Sequence, residues 1–111
     1  MEWKSLNDFQ QLNEIIEQSH NAPQVIFKHS TRCSISHMAK SRLDKHEAPQ
    51  AIPFYYLDLL QFRSLSNKVA EVFEIAHESP QILLIRNGVC IYDESHNGID
   101  FSDIMEQVHR N

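Results

Sequence analysis

Apolar and polar positions along the chain switch between two periods, and the switches mark its elements. Leu6, Phe9, Leu12 and Ile16 recur at helical spacing. Ser5-Leu6-Asn7-Asp8 resembles a capping box with Asp in the usual Glu place, so a helix is expected over 5–19. Pro23 closes the connection that follows. Val25-Ile26-Phe27 is a short apolar run without alternation, the pattern of a strand covered on both faces. Residues 33–46 return to the helical period through Ile35, Met38, Ala39 and Leu43, and Pro49 and Pro53 stop that helix. Phe54-Tyr55-Tyr56-Leu57 is rich in strand formers. Leu65, Val69, Val72, Phe73 and Ala76 predict a third helix over 64–77, with Ser64 as its N-cap. Ile82-Leu83-Leu84-Ile85 and Val89-Cys90-Ile91-Tyr92 are strands joined through Arg86-Asn87-Gly88. Asn-Gly between two apolar runs favours a type I′ hairpin turn, which needs positive φ at both positions. Asp100 can cap a last helix carrying Phe101, Ile104, Met105 and Val108.

The order is therefore α-β-α-β-α-β-β-α. Its first two strands are joined through a helix and should be parallel, and its last two form an antiparallel hairpin. The expected architecture is one α/β domain over 1–111, with a mixed four-stranded sheet and helices on both faces, which is a thioredoxin-like order. At 111 residues a single domain buries roughly two-thirds of its unfolded surface. With 41% hydrophobic and 23% charged residues, the composition excludes a disordered or fibrous chain. The apolar runs reach about four residues, far short of the roughly 20 that span a bilayer, and no secretory signal is read at Met1–Asp8. Two cysteines do not make a disulfide scaffold, so a cytoplasmic protein with reduced thiols is expected.

The net charge of −5 is unevenly spread. Residues 28–45 hold Lys28, Arg32, Lys40, Arg42 and Lys45 against Asp44 alone, a net of +4. A basic island of this size in an acidic chain lacks the broad basic face of a duplex nucleic-acid binder. It suits a small anion or an acidic partner patch, or it is simply a solvated helix face.

Cys33 follows the first strand and stands at the start of the second helix. Unpaired helix N–H groups and nearby cations favour a thiolate at such a position. Arg32 is adjacent, and His29 and His37 are near enough to tune the same sulfur. The competing reading is a buried structural cysteine, which the polar setting of Ser30, Thr31, Arg32, Ser34 and Ser36 opposes. A redox dithiol would be C-x-x-C, but here the fourth place is Ser36, so Cys33 should act as a monothiol. Cys90, between Val89 and Ile91, is expected in the core, with a resolving role as the alternative. The seven histidines raise the possibility of a metal, and Cys33 and His37 are one helical turn apart. No Cys pair completes a recognisable ligand set, so no metal is expected.

Lys28-His29-Ser30-Thr31-Arg32-Cys33, Ile35-Ser36, Ser79-Pro80 and Ser95-His96-x-Gly98-Ile99 together resemble the monothiol bacilliredoxin family of thioredoxin-fold proteins. The resemblance runs over essentially the whole chain. It implies a thiol-disulfide oxidoreductase that removes bacillithiol from S-bacillithiolated client proteins. Bacillithiol, a low-molecular-weight thiol with carboxylates on its malyl part, would be co-substrate, with no bound cofactor. Cys33 would be the attacking cysteine, Pro80 a cis-proline facing it, and His96 a residue at the same end of the sheet. Thr31, Arg32, Ser34, Ser36, Ser79 and Pro80 would contact substrate. The family commonly has Pro after the cysteine, where this chain has Ser34. Neither nucleic acid nor membrane is among the expected partners, and a monomer is expected. The rival from another class is a non-catalytic thioredoxin-fold binding module or single-thiol redox sensor.

Overall fold

The computed structural model describes residues 1–110. Five strands and four α-helices follow in the order β1 (Trp3–Ser5), α1 (Phe9–Gln18), β2 (Gln24–His29), α2 (Ser34–Asp44), β3 (Phe54–Asp58), α3 (Arg63–Phe73), β4 (Gln81–Arg86), β5 (Val89–Ser95) and α4 (Phe101–Arg110). A 3-10 turn, His96–Gly98, lies between β5 and α4. The sheet runs β1-β3-β2-β4-β5. β2 is parallel to β3 and antiparallel to β4, and β4 and β5 form the expected hairpin. Asn87 at φ 54° and Gly88 at φ 77° supply the two positive dihedrals of its turn.

The sheet has five strands, not four. The additional one is β1, which pairs in parallel with β3 from Trp3↔Phe54 to Ser5↔Tyr56. Trp3 explains why so short a segment docks. Its ring stacks on Phe27 at 5.4 Å, meets Phe54 and Tyr56 edge-on, and donates Nε1–H to Asp44 Oδ1 at 2.6 Å. Three residues are too few to display a period of two, so this strand carries no readable pattern.

Pairing Ser5 into the sheet also moves the start of the first helix. Asp8, not Ser5, is the N-cap: its carboxylate accepts from the Gln11 amide at 2.8 Å, while the Gln11 side chain accepts from the Asp8 amide at 3.2 Å. In α2 the buried positions are Ser36, Ala39 and Leu43, whereas Ile35 and Met38, counted toward its apolar face, are exposed. The third helix starts after Phe62, not at Ser64, and ends where Glu74 turns left-handed at φ 55°, leaving Ala76 outside it. Asp100 caps α4 as expected, accepting from the Ser102 amide at 2.8 Å.

Two cores flank the sheet. Val25, Phe27, Leu43, Phe54, Ile82, Leu84, Ile99, Ile104 and Val108 pack beneath α2 and α4. Leu6, Leu12, Ile15, Ile26, Leu57, Leu65, Val69, Leu83 and Ile85 pack beneath α1 and α3. β2 lies between them and is buried at every residue. Trp3→Ala is expected to remove about 2–3 kcal/mol of stability, less than a fully buried aromatic because Trp3 is partly exposed. Urea unfolding followed by far-ultraviolet circular dichroism checks it, and an unchanged midpoint would show that β1 does not brace the sheet edge.

Candidate functional site

The register gathers the candidate residues at one end of the sheet. His29 ends β2 opposite Asp58 of β3, and Lys28 stands opposite Gln81, the first residue of β4, which itself faces Ser95 of β5. Ser30–Cys33 leave β2 at this end, and Ser79–Pro80 lead into β4 there. The Ser79–Pro80 peptide bond is cis. His96 follows β5 at the same end and donates its backbone N–H to the Pro80 carbonyl at 3.0 Å. Its ring lies 3.8 Å from the Glu78 carboxylate.

Cys33 is the N-cap of α2, with extended backbone, and its side chain makes no capping hydrogen bond. Its amide donates to Ser30 O at 3.2 Å, and its carbonyl accepts from the His37 amide at 3.1 Å. The sulfur is thus carried between a tight turn and the first helical turn, half-exposed, with Thr31, Arg32 and Ser34 exposed around it.

Ser36 was expected to contact substrate, but it is fully buried. Its Oγ accepts from the Ser30 amide at 3.0 Å and lies 2.6 Å from His29 Nδ1. A buried hydroxyl needs an acceptor for its proton, and Nδ1 is the one at hand, which assigns His29 the Nε2–H tautomer. Burial, with the positive neighbours His37 and Lys40, holds the His29 imidazolium below the ordinary histidine range. The same burial favours the neutral ring, whose Nδ1 is engaged by the Ser36 hydroxyl. His37 stands edge-on to His29 at 4.8 Å and donates Nε2–H to the Thr31 carbonyl at 2.8 Å, so it braces the loop.

The basic island does not form one surface. Lys40 pairs with Asp44 at 2.8 Å. Arg42 donates to the Ile99 carbonyl from Nε and Nη2, at 3.3 and 3.1 Å, and holds the turn that contains His96. Lys28 is fully buried, and its Nζ donates to Ser66 O and to His77 Nδ1, both at 3.2 Å. Burial pulls the Lys28 ammonium down to about 8. Arg32 and Lys45 are the cations left exposed. Neither the Lys28–His77 contact nor the Arg42 clamp was read from the sequence. The available signal was a lysine placed directly after Val25-Ile26-Phe27, the run expected to form a strand covered on both faces.

Cys90 stands opposite Ile85, which in turn faces Gln24 at the far end of β2. Five strand steps separate that level from His29, roughly 16 Å, whereas a disulfide needs Cα atoms within about 7 Å. Cys90 is packed against the core beneath α1 and α3 and donates its S–H to Tyr92 O at 3.3 Å. Among the described residues, no group of three or more His, Cys, Asp or Glu side chains is gathered to hold a metal ion.

A family model described as monothiol bacilliredoxin BrxC matches residues 4–104. The chain belongs to the monothiol bacilliredoxin family. Among solved structures it is similar to a thioredoxin-fold protein of proposed oxidoreductase activity, with a TM-score of 0.80 and 30% identity over 95% of this chain and 91% of that one. It is similar also to a thioredoxin of Malassezia sympodialis (TM-score 0.75, 16% identity, 98% and 90% covered). Mitochondrial thioredoxin 3 of Saccharomyces cerevisiae gives the same TM-score at 15% identity, with 98% and 95% covered. The last two likenesses concern the fold alone. Bacilliredoxin membership and the fold support a thiol redox function. No helix among the described residues is long and apolar enough to cross a membrane.

The surroundings of Cys90 have a measurable consequence. Burial raises its thiol from the ordinary 9.0 to about 11, because the charged form would be poorly solvated. Between these values the unfolded chain has released the proton that the folded chain still holds. This contribution to stability is complete below about pH 9 and lost as pH rises toward 11. Relative to Cys90→Ala, the wild type is expected to lose on the order of 2 kcal/mol over that window, measured by urea unfolding at stepped pH. Parallel curves for the two proteins would contradict the assignment.

Proposed function

We propose that the protein removes bacillithiol from S-bacillithiolated client proteins through a mixed disulfide on Cys33. The observation that carries this reading is the isolation of the half-exposed Cys33 thiol. Ser36, in the place of a second cysteine, is buried with its hydroxyl engaged, and Cys90 lies at the other end of the sheet.

In the first step the Cys33 thiolate attacks the bacillithiol sulfur of the client mixed disulfide. The client–bacillithiol S–S bond breaks as the Cys33–bacillithiol bond forms. The client sulfur leaves as a thiolate and takes a proton from solvent, so the exchange conserves the number of disulfides. In the second step an external low-molecular-weight thiolate attacks the bacillithiol sulfur of the adduct: the Cys33–bacillithiol S–S bond breaks, a disulfide between bacillithiol and the external thiol forms and departs, and Cys33 returns as a thiolate. Exposed Arg32 beside Cys33 offers a positive charge to the malyl carboxylates. Thr31 and Ser34, exposed on either side of Cys33 in the chain, would contact the substrate, and the backbone of Ser79 would pair with an extended client segment. Ser34 replaces the family's usual Pro and adds a backbone N–H to the first turn of α2, where donors have no helical partner.

Intact-mass measurement after mixing with a bacillithiolated client, external thiol withheld, is expected to show one bacillithiol on Cys33 and an equal amount of freed client thiol. Cys33→Ser should abolish both signals, and Cys90→Ser should leave both unchanged. A protein that binds clients without gaining the adduct would be a binding module or sensor instead. An intramolecular Cys33–Cys90 disulfide forming at the turnover rate would overturn the monothiol mechanism.

A further inference from the structure

The last two residues of β2 point to opposite faces, His29 toward α2 and Lys28 toward α3. Lys28 is the harder to account for, since an ammonium with no exposure is costly and a methionine of similar length would fill the same space. What the ammonium does that a methionine could not is donate twice. It bonds the Ser66 carbonyl of α3 and His77 Nδ1, in the segment between α3 and β4. His77 is itself exposed, so its ring is held from beneath by a buried donor. Burial and the neighbouring Lys28 and Arg63 charges disfavour the imidazolium, which keeps Nδ1 available as an acceptor. The same segment is fastened at two further points. Gln81 Nε2 donates to the Ala76 carbonyl at 3.0 Å, and the His96 amide donates to the Pro80 carbonyl. Between these fastenings, among the described residues, the Ser79 amide and carbonyl pair with no other backbone group.

We infer that Lys28 is a positioning residue for client binding: through His77 it holds the 77–79 backbone, at the Cys33 end of the sheet, in the shape that pairs with an extended client chain. The inference rests on the proposed client reaction and adds the residue that preorganises its peptide site. A client protein needs that backbone; a small disulfide attacked at the exposed sulfur does not. Lys28 therefore separates the two kinds of substrate.

The test compares two substrates, a peptide carrying bacillithiol on a central cysteine and free bacillithiol disulfide. For Lys28→Met and His77→Leu, KM for the peptide is expected to rise about tenfold, with attack on bacillithiol disulfide changed by less than about twofold. His77→Gln is expected to restore the peptide KM, because its Oε1 can accept from the ammonium. Amide hydrogen exchange of residues 77–79 should be faster in His77→Leu and near wild type in His77→Gln. Since His77 is exposed, this pair decides the matter even if Lys28→Met fails to fold. Peptide KM unchanged in His77→Leu, or equal losses on both substrates, would overturn the role of Lys28. A wild type that attacks neither substrate would overturn the functional reading itself, and the role with it.

Discussion

A strand buried on both faces leaves its polar side chains no water to turn to, so each must find a partner inside the protein or destabilise it. β2 is such a strand, and its last two residues are Lys28 and His29. Because neighbouring strand residues face opposite ways, the two must be satisfied on opposite sides of the sheet. His29 meets the Ser36 hydroxyl under α2, which also accepts from the Ser30 amide. Lys28 meets the Ser66 carbonyl and the His77 ring under α3. The loop 30–33 is thus tied through Ser36 to His29, and the segment 77–80 through His77 to Lys28, its neighbour in the same strand.

Further fastenings reinforce that arrangement from the rim. The Arg42 guanidinium binds the Ile99 carbonyl from α2, which fixes the turn bearing His96, and the His96 amide then holds the Pro80 carbonyl. Gly98 is crowded in this turn: a Cβ there would come within 2.7 Å of the Glu94 side chain. These contacts fix the backbone of the turn and of Pro80 at the end of the sheet that carries Cys33. In the proposed reaction, whose second step is supplied from outside, the protein would hold one adduct until an external thiol arrives. A fixed frame around an exposed sulfur suits that order of events.

How far the sequence could be read depends on how local each determinant is. The strands at 25–27, 54–57, 82–85 and 89–92 were legible because their apolar runs are continuous, and the hairpin because Asn87-Gly88 is a two-residue signal. Cys33 was legible because a lone thiol among Ser, Thr and Arg stands out. Trp3–Ser5 was not, since its pairing rests on the contact of Trp3 with Phe27, Phe54 and Asp44, far off in the chain. Asp8 displaced Ser5 as the cap for the same reason: Ser5 was claimed by a strand. Ile35 and Met38 fitted a helical stripe that the structure turns outward, with Ser36 taking the buried place. Lys28 was counted among the charges of a basic island, because nothing local shows that β2 extends past Phe27 with Lys28 and His29 wholly enclosed.

The fate of Ser36 bears on the single-thiol reaction proposed for this chain. In a C-x-x-C protein the fourth position supplies the sulfur that expels the adduct. Here that position serves the interior instead, since its hydroxyl satisfies a loop amide and a buried imidazole at once. A thiol there would be a weaker donor and acceptor for the same two groups. The loop that presents Cys33 would therefore be held less well by the residue that would make it a dithiol. Cys90 does not make up the difference, being opposite Ile85 with its proton retained by burial. The proposed single-thiol reaction thus agrees with how the end of β2 is satisfied, where the fourth position serves a loop amide and a buried ring.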